Sequence, residues 1–275
     1  MRLYTCMCGG REVAAVEKNN VFYEIVNADN MLDLIKSGEP AQIGAQIHPT
    51  EILAPIPRPY QDIICLGLNY SDHLEESNRF KNGEFQKGDN CAVYFSKRVN
   101  EATTPFGAIP SHSYIVDSLD YEVELAVIIG KRASKVKQED AFDYVFGYTI
   151  LNDVSARNVQ MAHKQWFLGK SLDGFTPIGP CIVTADEFSN PPKLDIRSYV
   201  NGELRQNSNT ANMIFGVDYV ISELSQGMTL EAGTIISMGT PSGVGMGFVP
   251  PVFLNKGDVV KCEIEGIGYI ENTVE

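Results

Sequence analysis

The distribution of β-like and helix-like stretches constrains the fold of this chain more than any other feature of its sequence. Beyond residue 60, stretches rich in β-branched and aromatic residues dominate; they are DIICLGL, CAVYFSK, YEVELAVII, GYTILND, CIVTA, LDIRSYVNGELRQ, TIISMG and DVVKCEIEGIGYIENTV. These stretches do not alternate regularly with long helices, which disfavours a doubly wound parallel sheet. Asn201-Gly202 between two such runs predicts a β-hairpin. The sequence therefore predicts a β-rich α+β fold.

Few stretches show the periodicity of a helix. In MIFGVDYVISELSQG, apolar residues recur at helical spacing and the pattern ends near Gly227; these residues are Val217, Val220, Ile221 and Leu224. KQEDAFDYVFG is a shorter helical candidate. The helices are therefore expected to be few and short.

The first 57 residues are expected to form a small α+β domain ahead of a larger domain at residues 58–275. GREVAAVEKNNVFYEIV predicts two short strands around an EKNN turn. NADNMLDLIKSG predicts a short helix with Asn27 or Asp29 as its cap and Gly38 as its stop. APIPRPYQD follows and is expected to be a connector, because proline fixes φ and lacks a backbone donor.

The charge balance limits the classes of partner. The chain has 22 Lys and Arg residues against 35 Asp and Glu residues, a net charge of −13. Such a surface repels nucleic acids and anionic membranes, so a small-molecule substrate is favoured. No apolar run approaches the ~20 residues of a membrane span, and no signal peptide is recognised at the N-terminus. Six cysteines without a CxxC pair predict buried free thiols. A cytoplasmic location is expected.

Glu122 and Glu124 interrupt the strand-like stretch DYEVELAVIIG, residues 120–130. Residues i and i+2 of a strand face the same side, about 6.6 Å apart along the backbone, so both carboxylates are expected on one face. Two like charges side by side destabilise a strand unless they are compensated. An exposed, solvated face and a bound cation are both open at this point.

Asp153, in LNDVSARNVQ, follows another β-like run. Asp153, Arg157 and Gln160 would line one face of a helix; an Asp cap with solvated residues above it is the alternative. Three carboxylates brought together would form an all-oxygen site, which favours Mg²⁺, Mn²⁺ or Ca²⁺ over Zn²⁺. Such a site leaves coordination positions open for a substrate.

His73 and Glu76, in GLNYSDHLEES, are neighbours if the segment is helical. A carboxylate beside an imidazole orients the ring and raises its basicity, which suits general-base activation of water. An ordinary exposed pair on a helix is the alternative.

Two further motifs invite comparison with phosphate-binding loops. Lys170 lies in QWFLGKSLDGFTPIGP, but Lys164 stands where such a loop needs glycine, so that interpretation fails. MGTPSGVGMGF predicts a tight turn that presents backbone N–H groups and the Thr240 hydroxyl. A structural turn and an anion cradle are both open.

Taken in order, these motifs resemble those of the fumarylacetoacetate hydrolase family, in particular bacterial acylpyruvate hydrolase-like members. The blocks are GLNYSDHLEES, DYEVELAVIIG, NDVSARNVQ, QWFLGKSLDGFTPIGP, VNGELRQNSNTANMIF, LSQGMTLEAGTIISMGTPSGVG and FLNKGDVVKCEIEGIGYIENTV. The resemblance covers about residues 58–275, and the first 57 residues look like the variable segment that precedes the core. It implies a β-rich mixed fold around a barrel-like roll, usually assembled as a homodimer.

The resemblance also implies a metal site and a catalytic dyad. Glu122, Glu124 and Asp153 would bind a divalent ion, usually Mg²⁺ or Mn²⁺. His73 and Glu76 would form the dyad of a lid, and the polar segment NRFKNGEFQKGDN, residues 78–90, would belong to that lid.

Further residues would contact the substrate of such an enzyme. Arg157, Gln160 and Thr240 would hold it, and Lys170 would be the active-site lysine. The expected reaction is metal-dependent hydrolysis of a C–C bond in a 2-oxo or 1,3-diketo acid, with acylpyruvate as the first choice.

Other reactions pass through the same enolate. Oxaloacetate decarboxylation, isomerisation of a 2-hydroxyhepta-2,4-diene-1,7-dioate and a hydratase or lyase reaction therefore stay open. A metal-dependent protein that binds keto acids without turnover is the alternative from a different class. The His73–Glu76 pair argues against it, because binding alone needs no general base.

Overall fold

The computed structural model describes residues 1–80 and 91–275, and strands dominate it. The strands are β1 (Arg2–Cys8), β2 (Arg11–Lys18), β3 (Val21–Ile25), β4 (Ile43–Ile47), β5 (Glu51–Leu53), β6 (Ile63–Gly67), β7 (Val93–Lys97), β8 (Ala108–Ile109), β9 (Leu119–Asp120), β10 (Val123–Ile129), β11 (Val145–Asn152), β12 (Ser155–Ala156), β13 (Ile178–Thr184), β14 (Asp195–Val200), β15 (Glu203–Asn209), β16 (Ile235–Ser237), β17 (Val259–Ile264) and β18 (Gly268–Val274). The α-helices are α1 (Met31–Ser37), α2 (Ser71–Phe80), α3 (Arg157–Ala162), α4 (Phe167–Lys170) and α5 (Val217–Gly227). Short 3₁₀ segments span Gln138–Tyr144, Ala185–Glu187, Thr210–Asn212 and Gly245–Gly247. The predicted β-rich α+β class is confirmed.

Two sheets build the core. The larger sheet has eleven strands in the order β4-β3-β2-β1-β13-β11-β10-β16-β6-β7, with β5 also paired to β1. The smaller sheet has five strands in the order β15-β14-β17-β18-β8, and β9 pairs with β12. Strands β10, β11 and β13 contact β14, β17 and β18, so the sheets pack face to face around a large hydrophobic cluster.

Strand β10 lies in the middle of this arrangement, between β11 and β16. All seven of its residues are buried, which explains its nearly continuous apolar sequence. Glu124 is one of those seven and is 1% exposed, and Glu122 directly before the strand is 5% exposed. The interpretation of an exposed, solvated face is therefore wrong, because a second sheet covers the strand.

The N-terminal strands extend the larger sheet. The predicted hairpin around the EKNN turn is present as β2 and β3. Strand β1 pairs with β13, with Arg2 opposite Val183 and Leu3 opposite Ile182. The division of the chain after residue 57 stays a prediction.

Helix α1 begins at Met31, after both of the expected caps. Its cap is Asn30, whose side-chain oxygen accepts from the Asp33 N–H over 3.0 Å. Asn27 instead accepts from the Gln42 N–H, so the expected caps Asn27 and Asp29 are wrong. Gly38 ends the helix at a φ of 66°, as predicted, because glycine adopts left-handed backbone without steric cost.

Other local predictions are confirmed. Helix α5 ends at Gly227 and buries the predicted apolar residues Val217, Val220, Ile221 and Leu224. Asn201 and Gly202, with φ of 51° and 79°, form the turn between β14 and β15. This is the left-handed geometry that Asn-Gly hairpin turns require.

The remaining chain-wide predictions concern thiols, membranes and the lid. All six cysteines are free, and four of them are buried, whereas Cys91 is exposed and Cys8 is half-buried. Within the described residues, no helix is long and apolar enough to cross a membrane. Most of the predicted lid, residues 81–90 of 78–90, lies outside the described residues.

Candidate active site

Three buried carboxylates converge at the ends of two paired strands. Glu122, Glu124 and Asp153 each offer an oxygen that lies within 4.8 Å of the others. Strands β10 and β11 are antiparallel, and the Asp153 N–H, just beyond β11, donates to the Glu122 carbonyl oxygen over 2.8 Å. The pairing of β10 with β11 thus brings Asp153 close to Glu122 and Glu124, although it follows them by about thirty residues in the chain. The three predicted side chains lie together.

Lys170 and Arg157, which line the cavity, neutralise part of this cluster. Lys170 Nζ lies 2.7 Å from Glu122 Oε2 and 2.6 Å from Asp153 Oδ2, and Arg157 lies 2.6 Å from Glu122 Oε1. Burial alone would raise the pKa of Glu122, but the charges of Lys170 and Arg157 hold that pKa well below its usual range. Burial lowers the pKa of Lys170, yet the carboxylates of Asp153 and Glu122 outweigh it and keep that pKa above its usual value.

Glu124 is the member of the cluster with which no lysine or arginine of the described residues forms an ion pair. Burial raises its pKa well above the usual value, and the charges of Asp153 and Glu122 raise it further. Its Oε2 accepts from the Ser237 hydroxyl and the Gly239 N–H. Three buried carboxylate oxygens are the donor set that hard divalent ions prefer, so the residues present fit Mg²⁺, Mn²⁺ or Ca²⁺.

Helix α3 carries Arg157 and Gln160 beside the carboxylate cluster. The helix begins at Arg157, and Arg157 donates to Gln160 Oε1 over 3.1 Å. Asp153 precedes the helix, so the interpretation that all three line one helical face is wrong for Asp153. Arg157 and Gln160 do lie on one helix, and both are buried.

Asp120 is a site residue that the sequence reasoning missed. It is fully buried and accepts from Arg157 Nε over 2.8 Å and from the N–H groups of Gly245 and Met246. It therefore orients the guanidinium and ties it to the glycine-rich turn. The signal was present, because Asp120, Glu122 and Glu124 alternate in DYEVE.

His73 and Glu76 lie on α2 and face the cluster. Their exposed fractions are 5% and 8%, so the alternative of an ordinary exposed pair is wrong. His73 Nδ1 lies 3.0 Å from Glu76 Oε2, and Glu76 Oε1 accepts from the Gly243 N–H over 3.0 Å. A carboxylate only accepts, so Nδ1 carries the proton and Nε2 is left as the basic nitrogen.

The glycine-rich turn, residues 238–248, donates hydrogen bonds to carboxylates of the chain itself. Its N–H groups donate to Glu124, Glu76 and Asp120. The Thr240 hydroxyl donates to the Val123 carbonyl oxygen and accepts from Gln206. Toward a substrate that hydroxyl can act only as an acceptor, because its single proton is already shared.

These groups surround one small cavity of about 30 Å³. Seven of the nine predicted site residues line it, namely His73, Glu122, Glu124, Arg157, Gln160, Lys170 and Thr240. Glu76 and Asp153 reach it through their contacts with His73 and Lys170. A second missed residue, Lys97, donates to Asp153 Oδ1 from behind the cluster over 2.7 Å.

Known proteins are similar to this chain in sequence and in fold. The family model described as fumarylacetoacetate (FAA) hydrolase C-terminal matches residues 62–275. Oxaloacetate tautomerase YisK of Bacillus subtilis (strain 168) is 46% identical over 221 residues, which cover 80% of this chain and 72% of that protein.

Solved structures also match over the whole length of this chain. A fumarylacetoacetate hydrolase from Exiguobacterium antarcticum superposes with a TM-score of 0.88 at 40% identity, covering 100% of this chain and 99% of that chain. A 5-carboxymethyl-2-hydroxymuconate delta-isomerase from Mycobacterium smegmatis gives a TM-score of 0.79 at 29% identity, with coverage of 100% and 99%.

Proposed function

Because the chain belongs to the fumarylacetoacetate hydrolase family, we propose that it catalyses keto–enol tautomerisation of a small 2-oxo dicarboxylic acid of the oxaloacetate class. One observation carries this proposal: the buried His73–Glu76 pair shares a cavity with Lys170 and the carboxylate cluster. A general base opposite a positively charged site suits removal of a proton beside a carbonyl group. The 46% identity with an oxaloacetate tautomerase supports this choice of reaction.

Glu122, Glu124 and Asp153 would hold a divalent ion, Mg²⁺ or Mn²⁺ in the first place. Their burial and their all-oxygen donor set support this. When bound, the ion supplies positive charge that opposes the negative charge of an enolate oxygen.

His73 moves the proton in this scheme. Glu76 accepts the hydrogen bond from Nδ1, so the imidazole presents Nε2. Nε2 takes the proton from the carbon next to the 2-oxo group, and the same proton then passes to the oxygen to give the enol. The Lys170 ammonium stabilises the charge on that oxygen during the transfer.

Arg157 is placed to hold a substrate carboxylate. The hydrogen bonds found among the described residues use one N–H on each of its three nitrogens. A guanidinium has five N–H donors, so each terminal nitrogen retains one. These two remaining donors can bind a carboxylate.

The test follows the loss of enol absorbance when enol oxaloacetate is mixed with the Mn²⁺-loaded enzyme. We expect the wild type and His48→Ala, a change at an exposed histidine, to accelerate ketonisation equally. His73→Ala should be slower by about 10²–10⁴-fold. A wild-type rate equal to that of buffer would contradict the proposal.

Hydrolysis of acylpyruvates is the second candidate, and it was the first choice on motifs alone. The end-to-end likeness to a fumarylacetoacetate hydrolase structure favours it, and the same Nε2 could take a proton from water. Release of pyruvate from an acylpyruvate, with no effect on enol oxaloacetate, would establish hydrolysis instead. Release of CO₂ from oxaloacetate that persists in His73→Ala would indicate decarboxylation.

A homodimer is part of the proposal, since members of this family are expected to pair through their β-rich core. The chain has a mass of 30.3 kDa. Light scattering at micromolar concentration should therefore give about twice that mass, and a monomer mass would remove this part of the proposal.

A further inference from the structure

Lys97 is a fully buried lysine at the end of β7. Its Nζ donates to Asp153 Oδ1 over 2.7 Å, to the Val154 carbonyl oxygen over 3.1 Å and to the Lys170 carbonyl oxygen. An ammonium group has three donors, and here each of them has a partner. Removing an ammonium from water is costly unless it is paired in this way.

The two lysines that contact Asp153 have different surroundings. Lys170 Nζ binds Oδ2 and lines the cavity, where a substrate can meet it. Lys97 binds Oδ1, is 0% exposed and is not among the described residues that line the cavity. Lys97 therefore acts on the site through Asp153 and through the backbone at Lys170, and not by touching the substrate.

We propose that Lys97 is a positioning residue of the divalent-metal site, which holds the Asp153 carboxylate in its ligating orientation and fixes the end of α4. This inference rests on the metal site of the proposed function. Lys97 joins segments that lie 56 and 73 residues away from it in the chain. A ligand held in place before the ion arrives loses less conformational freedom on binding.

The charge of Lys97 and its positioning of Asp153 have opposite effects on metal affinity. The direction of the measured change in affinity therefore shows which effect is larger. A positive charge beside Asp153 repels a divalent cation, so removal of the charge alone would tighten metal binding. Loss of the held orientation would weaken it. Partners that orient metal ligands contribute about 10–100-fold to metal affinity.

The experiment measures Mn²⁺ affinity of the full chain by isothermal titration calorimetry. We expect Lys97→Met to bind Mn²⁺ about 10–100-fold more weakly than the wild type. Lys97→Gln should lie between them, because its amide keeps a donor for Asp153. Lys256→Met removes the same charge at an exposed residue in the turn before β17 and should bind like the wild type.

A second measurement separates positioning from catalysis. At saturating Mn²⁺, kcat should recover in Lys97→Met but not in Lys170→Met, because only Lys170 meets the substrate. Unchanged or tighter Mn²⁺ binding in Lys97→Met would overturn the proposal. So would failure of both Lys97 variants to fold in excess Mn²⁺, which would make Lys97 a folding residue. A wild type that binds no Mn²⁺ would instead contradict the metal site itself.

Discussion

The carboxylate cluster and the His73–Glu76 pair meet at one cavity, but they stand on differently built parts of the molecule. Glu124 belongs to β10, which is hydrogen-bonded to β11 on one side and β16 on the other. Helix α2, which carries the pair, contacts the 3₁₀ segment at residues 245–247 and is tied to the glycine-rich turn through two side chains, Asp72 to Ser242 and Glu76 to Gly243.

The two regions are therefore expected to have different roles. A sheet interior holds charged groups at fixed separations, which suits metal binding and enolate stabilisation. A short helix held by a few polar contacts suits a base that must meet the substrate. Changes in one region should therefore affect metal affinity, and changes in the other should affect turnover.

The largest expected effect comes from the base. His73→Ala should lower kcat for enol oxaloacetate by about 10²–10⁴-fold, while the Mn²⁺ dissociation constant stays at the wild-type value. Steady-state kinetics and calorimetry on one preparation measure both quantities. If Mn²⁺ affinity fell with kcat, the two regions would not be separable.

Asp153→Asn should show the opposite pattern. Removing one member of a buried charge cluster costs about 3–5 kcal/mol, so Mn²⁺ affinity should fall by about 10²–10⁴-fold. Asp29→Asn, at an exposed aspartate, is the matched control and should leave affinity unchanged. Unaltered Mn²⁺ binding in Asp153→Asn would remove it from the ligand set.

Glu76→Gln tests whether the carboxylate orients the imidazole. A hydrogen bond to a charged group is worth about 1.5–3 kcal/mol, so kcat should fall by about 10–100-fold with Mn²⁺ affinity intact. Glu39→Gln, at an exposed glutamate, serves as the control. A wild-type kcat in Glu76→Gln would show that His73 acts without this partner.

The smallest effect is expected where α2 meets the glycine-rich turn. A Cβ at Gly247 would lie 1.9 Å from Oε1, 2.0 Å from Cδ and 2.4 Å from Cγ of Glu76, whereas a Cβ at Gly227 meets nothing within 4 Å. Gly247→Ala should force Glu76 off its preferred rotamer, which costs about 0.5–1.5 kcal/mol.

The expected result for Gly247→Ala is a kcat lowered by about two- to tenfold with little change in Tm, while Gly227→Ala changes neither. Differential scanning calorimetry beside the kinetic assay measures both. A large loss of Tm in Gly247→Ala would mean that the close packing supports the fold and not the orientation of Glu76.

The sequence predicted most of this site, because its residues are grouped in short motifs. Period-two spacing put Glu122 and Glu124 on one face, and both line the cavity. Helical spacing paired His73 with Glu76, and their hydrogen bond is present. The resemblance to a family supplied Lys170 and Thr240, which line the same cavity.

What spacing could not predict was burial. From the sequence, His73 and Glu76 could have been an exposed pair, and Glu122 and Glu124 could have lain on an exposed strand face. The spacing of residues does not show whether a second sheet covers a strand. The cap of α1 was missed for a related reason. Asn27, Asp29 and Asn30 are all acceptable cap residues, and only the contact between Asn27 and Gln42 shows which of them is occupied elsewhere.

The features that could be predicted correctly are those that depend on neighbours along the chain. These are the Asn201-Gly202 turn, the apolar face of α5 and the shared direction of the two glutamates. Which charged side chains form pairs depends instead on how the sheets pack. Lys97 and Asp153 are 56 residues apart, and Arg157 and Asp120 are 37 apart. Such pairs form only when the sheets bring distant segments together, and burial in the low-dielectric interior then makes their electrostatic interactions strong.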